Sequence, residues 1–380
     1  MKHLFYLIDG TWLFAGRFTY SSKTSNIFEI NHLLDFKDAN GNPQIAHYIR
    51  GLGATSGLRK YTAGGFSFGI DENIQDIYLN ICSNYEPGDK IYIFGFSRGA
   101  VVARAICAML DYGILKTGEI DYISELWDLF CKVSYAYHFS KDSKDNTESI
   151  EAMKSHLAPR MRETKPKVAF LGLFDTVVGG RKLTRALQHL NILPGETPKC
   201  AESILHLISI DETREFFSPQ PFRRRHPESL DDYFFEQLWL PGVHTDIGGG
   251  YDNRTLSDLS LMIMIDRLLY CAPEISIYTK DIENRLLNES NLAPRVHAEH
   301  DAFWWKIFKF HSKPRRIQDD FSKIHPSVKE LENVKVNYKS RKTTEYYSSA
   351  LQMKATQSKY FISQKYSDRI VNWIQPEESF

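Results

Sequence analysis

No C-x-x-C pair occurs among the five cysteines, Cys82, Cys107, Cys131, Cys200 and Cys271, so a thiolate zinc site and a redox dithiol are both excluded. An odd number of scattered thiols suits a reducing cytosol, and equally a protein handed through a secretion machine. Net charge is missing too. The 47 Lys and Arg balance 47 Asp and Glu, which removes any global attraction to polyanions, and no nucleic-acid partner is expected. No run of about 18 apolar residues occurs, so no transmembrane segment is expected. The opening MKHLFYLIDGTW meets Asp9 too early for a signal-peptide core and is followed by no cleavage pattern. These absences predict a cytoplasmic protein, or one delivered by a secretion system without a signal peptide. The glycine-rich YTAGGFSFGID (61–71) lacks the G-K-[ST] ending of a phosphate loop, and HTDIGGGYDN lacks calcium-loop spacing. No metal and no cofactor is expected.

What is present is a repeated pattern. With 42% hydrophobic residues the chain can bury a large core. Short apolar runs ending in Gly or Asp occupy 3–9, 44–51, 90–96, 167–175, 204–211 and 236–243, and each reads as a buried strand. Helical periodicity fills 71–85, 99–113 and 255–272, the last with a Thr or Ser cap. Strands alternating with helices predict an α/β fold with a mostly parallel sheet covered on both faces. The polar, helix-patterned 114–166 reads as a cap insertion in a core spanning 1–275. Residues 276–380 read as a C-terminal helical extension packed on that core.

Ligands of such sheets gather at the carboxyl ends of the strands. Asp9, Ser97, Asp175, Asp211 and His244 all follow predicted strands. Ser97 lies in GFSRG, a G-x-S-x-G at a strand-to-helix corner. There the backbone doubles back, the flanking glycines make room, and the helix N-terminus points at the serine. The plainer alternative is a tight turn with a helix-capping serine. A serine nucleophile needs a base, and the chain order Ser, acid, His points to Ser97, Asp175 and His244. Asp211 is the second candidate for the acid. His325 is the rival base, Asp246 is either an alternative catalytic group or a brace for the loop, and His206, inside an apolar run, reads as core. The N–H of Arg98 and that of Gly10 or Thr11 are the expected oxyanion donors, with Asp9 ordering their loop. The Arg98 side chain either contacts a substrate phosphate or is tied to a carboxylate behind the elbow.

The set LIDGTW, FGFSRGA, GLFDTVV, LISIDETR, PGVHTDIGGGY and KIHPSV resembles the DUF2235 family, α/β-hydrolase-like proteins that include the Tle1-type phospholipase effectors of type VI secretion. The motifs run in family order from residue 8 to 328. The resemblance implies an α/β-hydrolase-like fold and a serine esterase acting on acyl esters, with phospholipids as substrate. It carries Ser97, Asp175 and His244 over as nucleophile, acid and base. It also implies an immunity or delivery partner. DAFWWKIFKFHSKPRR (301–316) mixes aromatics with cations and reads either as a peripheral membrane contact or as a core helix with snorkelling lysines. Two other functions stay open: hydrolysis of a small soluble ester or thioester, and a non-catalytic interaction or effector-adaptor role on a hydrolase scaffold.

Overall fold

Six of the apolar runs lie side by side in one sheet. The computed structural model describes residues 1–10, 24–51, 69–139, 144–179, 187–190, 195–223, 234–280, 284, 295–297, 314–317, 322–331, 335–337, 343–345, 356–359 and 361–364, and only the backbone of 135–139, 144–146, 335–337 and 343–345 among them. The six strands are β1 (His3–Ile8), β2 (Gln44–Ile49), β3 (Lys90–Phe96), β4 (Val168–Phe174), β5 (Ser203–Ser209) and β6 (Phe234–Leu240). Each agrees with its run to within three residues at either end. Two-residue strands β7 (Lys323–Ile324) and β10 (Thr356–Gln357) continue the sheet. The order is β2-β1-β3-β4-β5-β6-β7-β10 and every neighbouring pair is parallel. β8 (Lys335–Asn337) and β9 (Thr343–Glu345) form a separate antiparallel pair. The fold is α/β, with helices on both faces of the sheet.

Strands buried on both faces explain why the runs are continuous rather than alternating. All of β1 is buried, yet its residues divide between two cores. Phe5 and Leu7 face α1 (Asn26–Leu33) and a long helix at Thr255–Cys271, while Leu4, Tyr6 and Ile8 face α2 (Ile70–Asn84) and α3 (Arg98–Leu110). The insertion supplies α4 (Ile123–Phe139) and α5 (Lys144–Leu157). α4 buries Leu126, Leu129 and Phe130 in the α2–α3 core, so its described part thickens that helical layer.

After β6 come α6 (His244–Gly248) and α7 (Thr255–Cys271). In place of the expected Thr or Ser, the N-cap of α7 is Arg254, whose side chain makes no capping bond. Thr255 is already helical, and the Asn253 carboxamide oxygen accepts from its N–H at 3.2 Å and its hydroxyl at 2.7 Å. α7 is buried all round over Thr255–Leu268, so its charges are satisfied internally. Arg267 donates to Glu236 at 2.9 Å and to Asp266 at 2.8 Å. Asp266 in turn accepts the N–H groups of Ile362 and Ser363 at 3.0 and 3.1 Å. The described part of the 276–380 extension is therefore joined to the core by strands β7 and β10 and by these bonds, and is not helix alone; α8 (Ser327–Glu330) is short.

One consequence of the strand order positions the site. The chain leaves β1 for β2 on one side and returns to β3 on the other, so the connections diverge between β1 and β3. A crevice opens at the carboxyl ends of such a pair. Ile8 lies beside Gly95 in register, so the Asp9 and Ser97 corners meet there.

Candidate active site

Ser97 closes β3 and opens α3 with φ 58° and ψ −120°. The two flanking glycines are sterically required. A Cβ on Gly95 would come within 2.6 Å of the Gly99 carbonyl, and one on Gly99 within 2.3 Å of the Ile8 carbonyl. The corner is folded tightly on itself and pressed against the end of β1. The Ser97 side chain makes no capping bond to α3, which sets aside the helix-cap alternative. Its Oγ lies instead 2.9 Å from His244 Nε2.

Asp175 follows β4, with its N–H on the Leu207 carbonyl at 2.7 Å and φ at 41°. Its Oδ2 is 2.6 Å from His244 Nδ1. A carboxylate only accepts, so Nδ1 carries the proton and the Nε2 lone pair faces the serine hydroxyl. Among the described residues, Ser97 and Asp175 are the two positive-φ residues that are not glycine. Strain of this kind persists only where the surroundings enforce it.

His244 is the first residue of α6. The turn is pinned from its far end, where the Ile247 carbonyl accepts from Asn26 Nδ2 at 2.9 Å and Ser260 Oγ at 2.6 Å. The imidazole packs between Phe96 and Phe217, with ring centres 4.8 and 4.9 Å away. Gly248 leaves the room that Phe96 fills, since a Cβ there would overlap the Phe96 ring at 2.0 Å.

The charges around the imidazole are paired. Arg315 donates from Nη1 to Asp175 Oδ1 at 2.6 Å and from Nη2 to Oδ2 at 3.0 Å. The Ser209 N–H adds a bond to Oδ1 at 3.1 Å. Arg315 Nη1 also reaches the Ser209 carbonyl at 2.8 Å and hydroxyl at 2.7 Å, and Nη2 reaches the Phe217 carbonyl. Burial alone would raise the Asp175 carboxyl, but Arg315 and His244 outweigh it and hold it well below the usual carboxylate range. Glu212 accepts the His244 N–H at 3.3 Å and is gripped by Arg214 at 2.8 and 2.6 Å. Burial opposes its ionisation too, and Arg214 and then Arg315 bring it below its ordinary value. His244 itself is pushed down by burial, against the pull of Asp175 upward. The imidazole is therefore a neutral base at neutral pH, beside an ionised carboxylate.

The other sequence candidates fall elsewhere. Asp211 bonds the Gly242 N–H at 2.7 Å and ties the ends of β5 and β6 together. Asp246 pairs with His297, Nδ1 to Oδ1 at 2.6 Å. The buried His325 ring meets Ser327 Oγ at 2.7 Å, after β7. His206 is fully buried and driven down to about 3, first by burial and then by Arg104. Asp9 collects the Gly10 N–H at 2.7 Å, the Ser25 hydroxyl at 2.7 Å and the Tyr48 hydroxyl at 2.6 Å. Burial nevertheless pushes its carboxyl up to about 6. The Gly10 N–H is thus turned toward Asp9. Thr11, 61–68 and 301–313 lie outside the described residues. Arg98 lines a small cavity with Asp9, Arg50 and Asn73, and burial pushes its guanidinium down to about 10.

Arg315, Ser209, Glu212 and Phe217 are the residues sequence reading did not assign to the site. Glu212 sits next to Asp211 in SIDETR and shares its strand-end signal. Arg315 carries no such signal, because its partner is 140 residues away.

Among the described residues no group of three or more His, Cys, Asp or Glu is arranged to hold a metal ion, and no helix is long and apolar enough to cross a membrane. The family described as "T6SS, Phospholipase effector Tle1-like, catalytic domain" matches residues 2–267. The uncharacterized protein YEL023C of Saccharomyces cerevisiae is 29% identical over 245 residues, covering 58% of this chain and 33% of that protein. The chain thus spans about a third of that curated relative's length. Two solved structures are similar at a lower level. An uncharacterized protein from Pseudomonas aeruginosa has a TM-score of 0.43 and 17% identity, over 74% of this chain and 48% of that chain. The Tle1 effector bound to the VgrG spike from the type 6 secretion system has a TM-score of 0.33 and 21% identity, over 66% of this chain and 51% of that chain.

Proposed function

The chain belongs to the Tle1-like phospholipase effector catalytic-domain family, and from that premise we propose that it is a serine hydrolase of acyl esters, with phospholipids as its substrate class. The observation that carries the reading is the His244 ring, bridging Ser97 Oγ at 2.9 Å and Asp175 Oδ2 at 2.6 Å. In the proposed reaction Ser97 Oγ attacks the ester carbonyl carbon as His244 Nε2 takes the hydroxyl proton. Asp175 holds the resulting imidazolium. The tetrahedral oxyanion forms at the N-terminus of α3, where the Arg98 N–H and the helix dipole favour negative charge. The Gly10 N–H contributes only by releasing Asp9, and the Thr11 N–H is its alternative. Collapse expels the alcohol with the proton from His244 and leaves an acyl-Ser97 ester. Water, deprotonated by His244, then releases the fatty acid and restores the serine. No metal or cofactor enters the scheme. A secretion-spike protein is the partner class the family suggests for delivery, with an immunity protein as a further one.

Labelling by a fluorophosphonate probe and release of fatty acid from phospholipid vesicles test the reading together. The intact chain should react with the probe and hydrolyse the vesicles, and Ser97→Ala should do neither. Equal turnover of acetyl and long-chain esters with no attack on vesicles would move the substrate to small soluble esters. A folded chain whose Ser97 is inert to the probe would leave a non-catalytic scaffold.

A further inference from the structure

We infer that Arg315 is a positioning residue of this site: delivered from outside the family-matched segment 2–267, it fixes the orientation of the Asp175 carboxylate and, through it, the tautomer and basicity of His244. The inference rests on the hydrolase reading. The geometry that carries it is two-pronged. Nη1 and Nη2 address the two oxygens of one carboxylate, the fork geometry in which an arginine is not replaceable by a lysine. With Ser209 N–H on Oδ1 and His244 on Oδ2, each carboxylate oxygen has two donors, and rotation of the carboxylate breaks bonds at both. The guanidinium is itself clamped by the Ser209 carbonyl and hydroxyl and by the Phe217 carbonyl. Both side chains are buried, 4% and 0% exposed, so solvent does not compete.

The cation also acts on the imidazole. The charged groups facing His244 are Asp175 and Arg315 on one side, and Glu212 with its Arg214 on the other; the Arg214 guanidinium lies 3.9 Å over the Phe217 ring that packs on the imidazole. On its own turn stands Asp246 with His297. Asp175 and Glu212 are each matched by an arginine. Removing Arg315 leaves Asp175 unmatched, which favours the imidazolium and raises the pH at which His244 protonates. A residue that merely staples the C-terminal segment to the core would change stability and leave that titration where it is.

The test uses the full chain with Arg315→Met and Arg315→Lys. Two readouts are taken: the His244 ring titration by nitrogen NMR, and the pH profile of kcat/KM on a nitrophenyl ester. In Arg315→Met the NMR midpoint and the acid limb should both rise by about one pH unit, and kcat/KM should fall about 100-fold as the imidazole loses its orientation. Arg315→Lys keeps the charge and loses the fork, so its midpoint should stay near wild type while kcat/KM falls about tenfold. A folded Arg315→Met with unchanged midpoint and unchanged kcat/KM overturns the inference. If that variant does not fold, Arg315→Lys decides, and wild-type kcat/KM in it overturns the inference equally. A wild-type chain inert toward esters and toward the fluorophosphonate probe sinks the hydrolase reading instead, and the NMR titration still reports the effect of Arg315 on His244.

Discussion

Two histidine–aspartate pairs stand two residues apart, and they are not alike. His244 meets Asp175 and His297 meets Asp246, each with Nδ1 at 2.6 Å from a buried carboxylate oxygen. The first carboxylate is bracketed by Arg315 and held low; the second is raised by burial, which His297 and the Val243 N–H only partly offset. The other nitrogen of His244 faces a serine hydroxyl at 2.9 Å, whereas the His297 ring stacks on Tyr251 with ring centres 3.8 Å apart. A short histidine–carboxylate bond is therefore no signature of chemistry by itself. What separates the pairs is the third group on the imidazole and the cation behind the acid. On this reading Asp175–His244 works on substrate, and Asp246–His297 holds the turn that carries His244.

The sharpest way to break the contrast is to remove the third group. Ser97→Ala should lower kcat/KM on a nitrophenyl ester by at least about 1,000-fold and abolish probe labelling, with unfolding by urea little changed. Next come the two acids. Asp175→Asn leaves the shape and spoils the tautomer, so kcat should fall about 1,000- to 10,000-fold. Asp246→Asn should keep kcat/KM within about tenfold of wild type and cost about 2 kcal/mol in urea unfolding. Equal kinetic losses in the two would erase the distinction.

Titration sharpens the contrast further. By carbon NMR Asp175 should stay ionised well below the ordinary aspartate value of about 3.9, and Asp246 should titrate above it. The stability signs are opposite. The Asp175 contribution is present above about pH 3.9 and is lost as pH falls through its depressed folded value. The Asp246 contribution is present below about 3.9 and is lost as pH rises through its raised folded value. His244, depressed by burial, should give an acid limb of kcat/KM with its midpoint below about 6.5, activity vanishing as pH falls through it. The smallest effect is expected at the runner-up acid. Asp211→Asn should change kcat/KM less than about threefold and cost about 1 kcal/mol, because the bond from the Gly242 N–H to a charged oxygen becomes one to a neutral oxygen.

The sheet was legible because its strands are buried on both faces. Such strands are written as unbroken apolar runs, and the carboxyl ends stand out by the Gly or Asp that follows. β7 and β10 were not legible. Strands of two residues, KI and TQ, leave no run to read. Ser97, Asp175 and His244 were readable as strand-end residues in an order the chemistry prescribes, and the structure brings His244 within hydrogen-bond distance of both others. Arg315 was not, because an arginine in a basic, aromatic stretch looks the same whether it faces solvent or a buried carboxylate. Asp246 reads in the sequence as either an alternative catalytic group or a brace for its loop; its histidine partner, 51 residues on, is a fact of tertiary packing.

The separation of 140 residues between Asp175 and Arg315 also sets an order of assembly during synthesis. A ribosome releases the serine, the acid and the histidine first, and the guanidinium that completes the acid's environment only later; β10 and the segment bonded to Asp266 follow it. On the role assigned to Arg315, a nascent chain that has already exposed its nucleophile is still a poor enzyme. On the proposed function, competence as a hydrolase then comes only once residue 315 has been made, well after Ser97, Asp175 and His244.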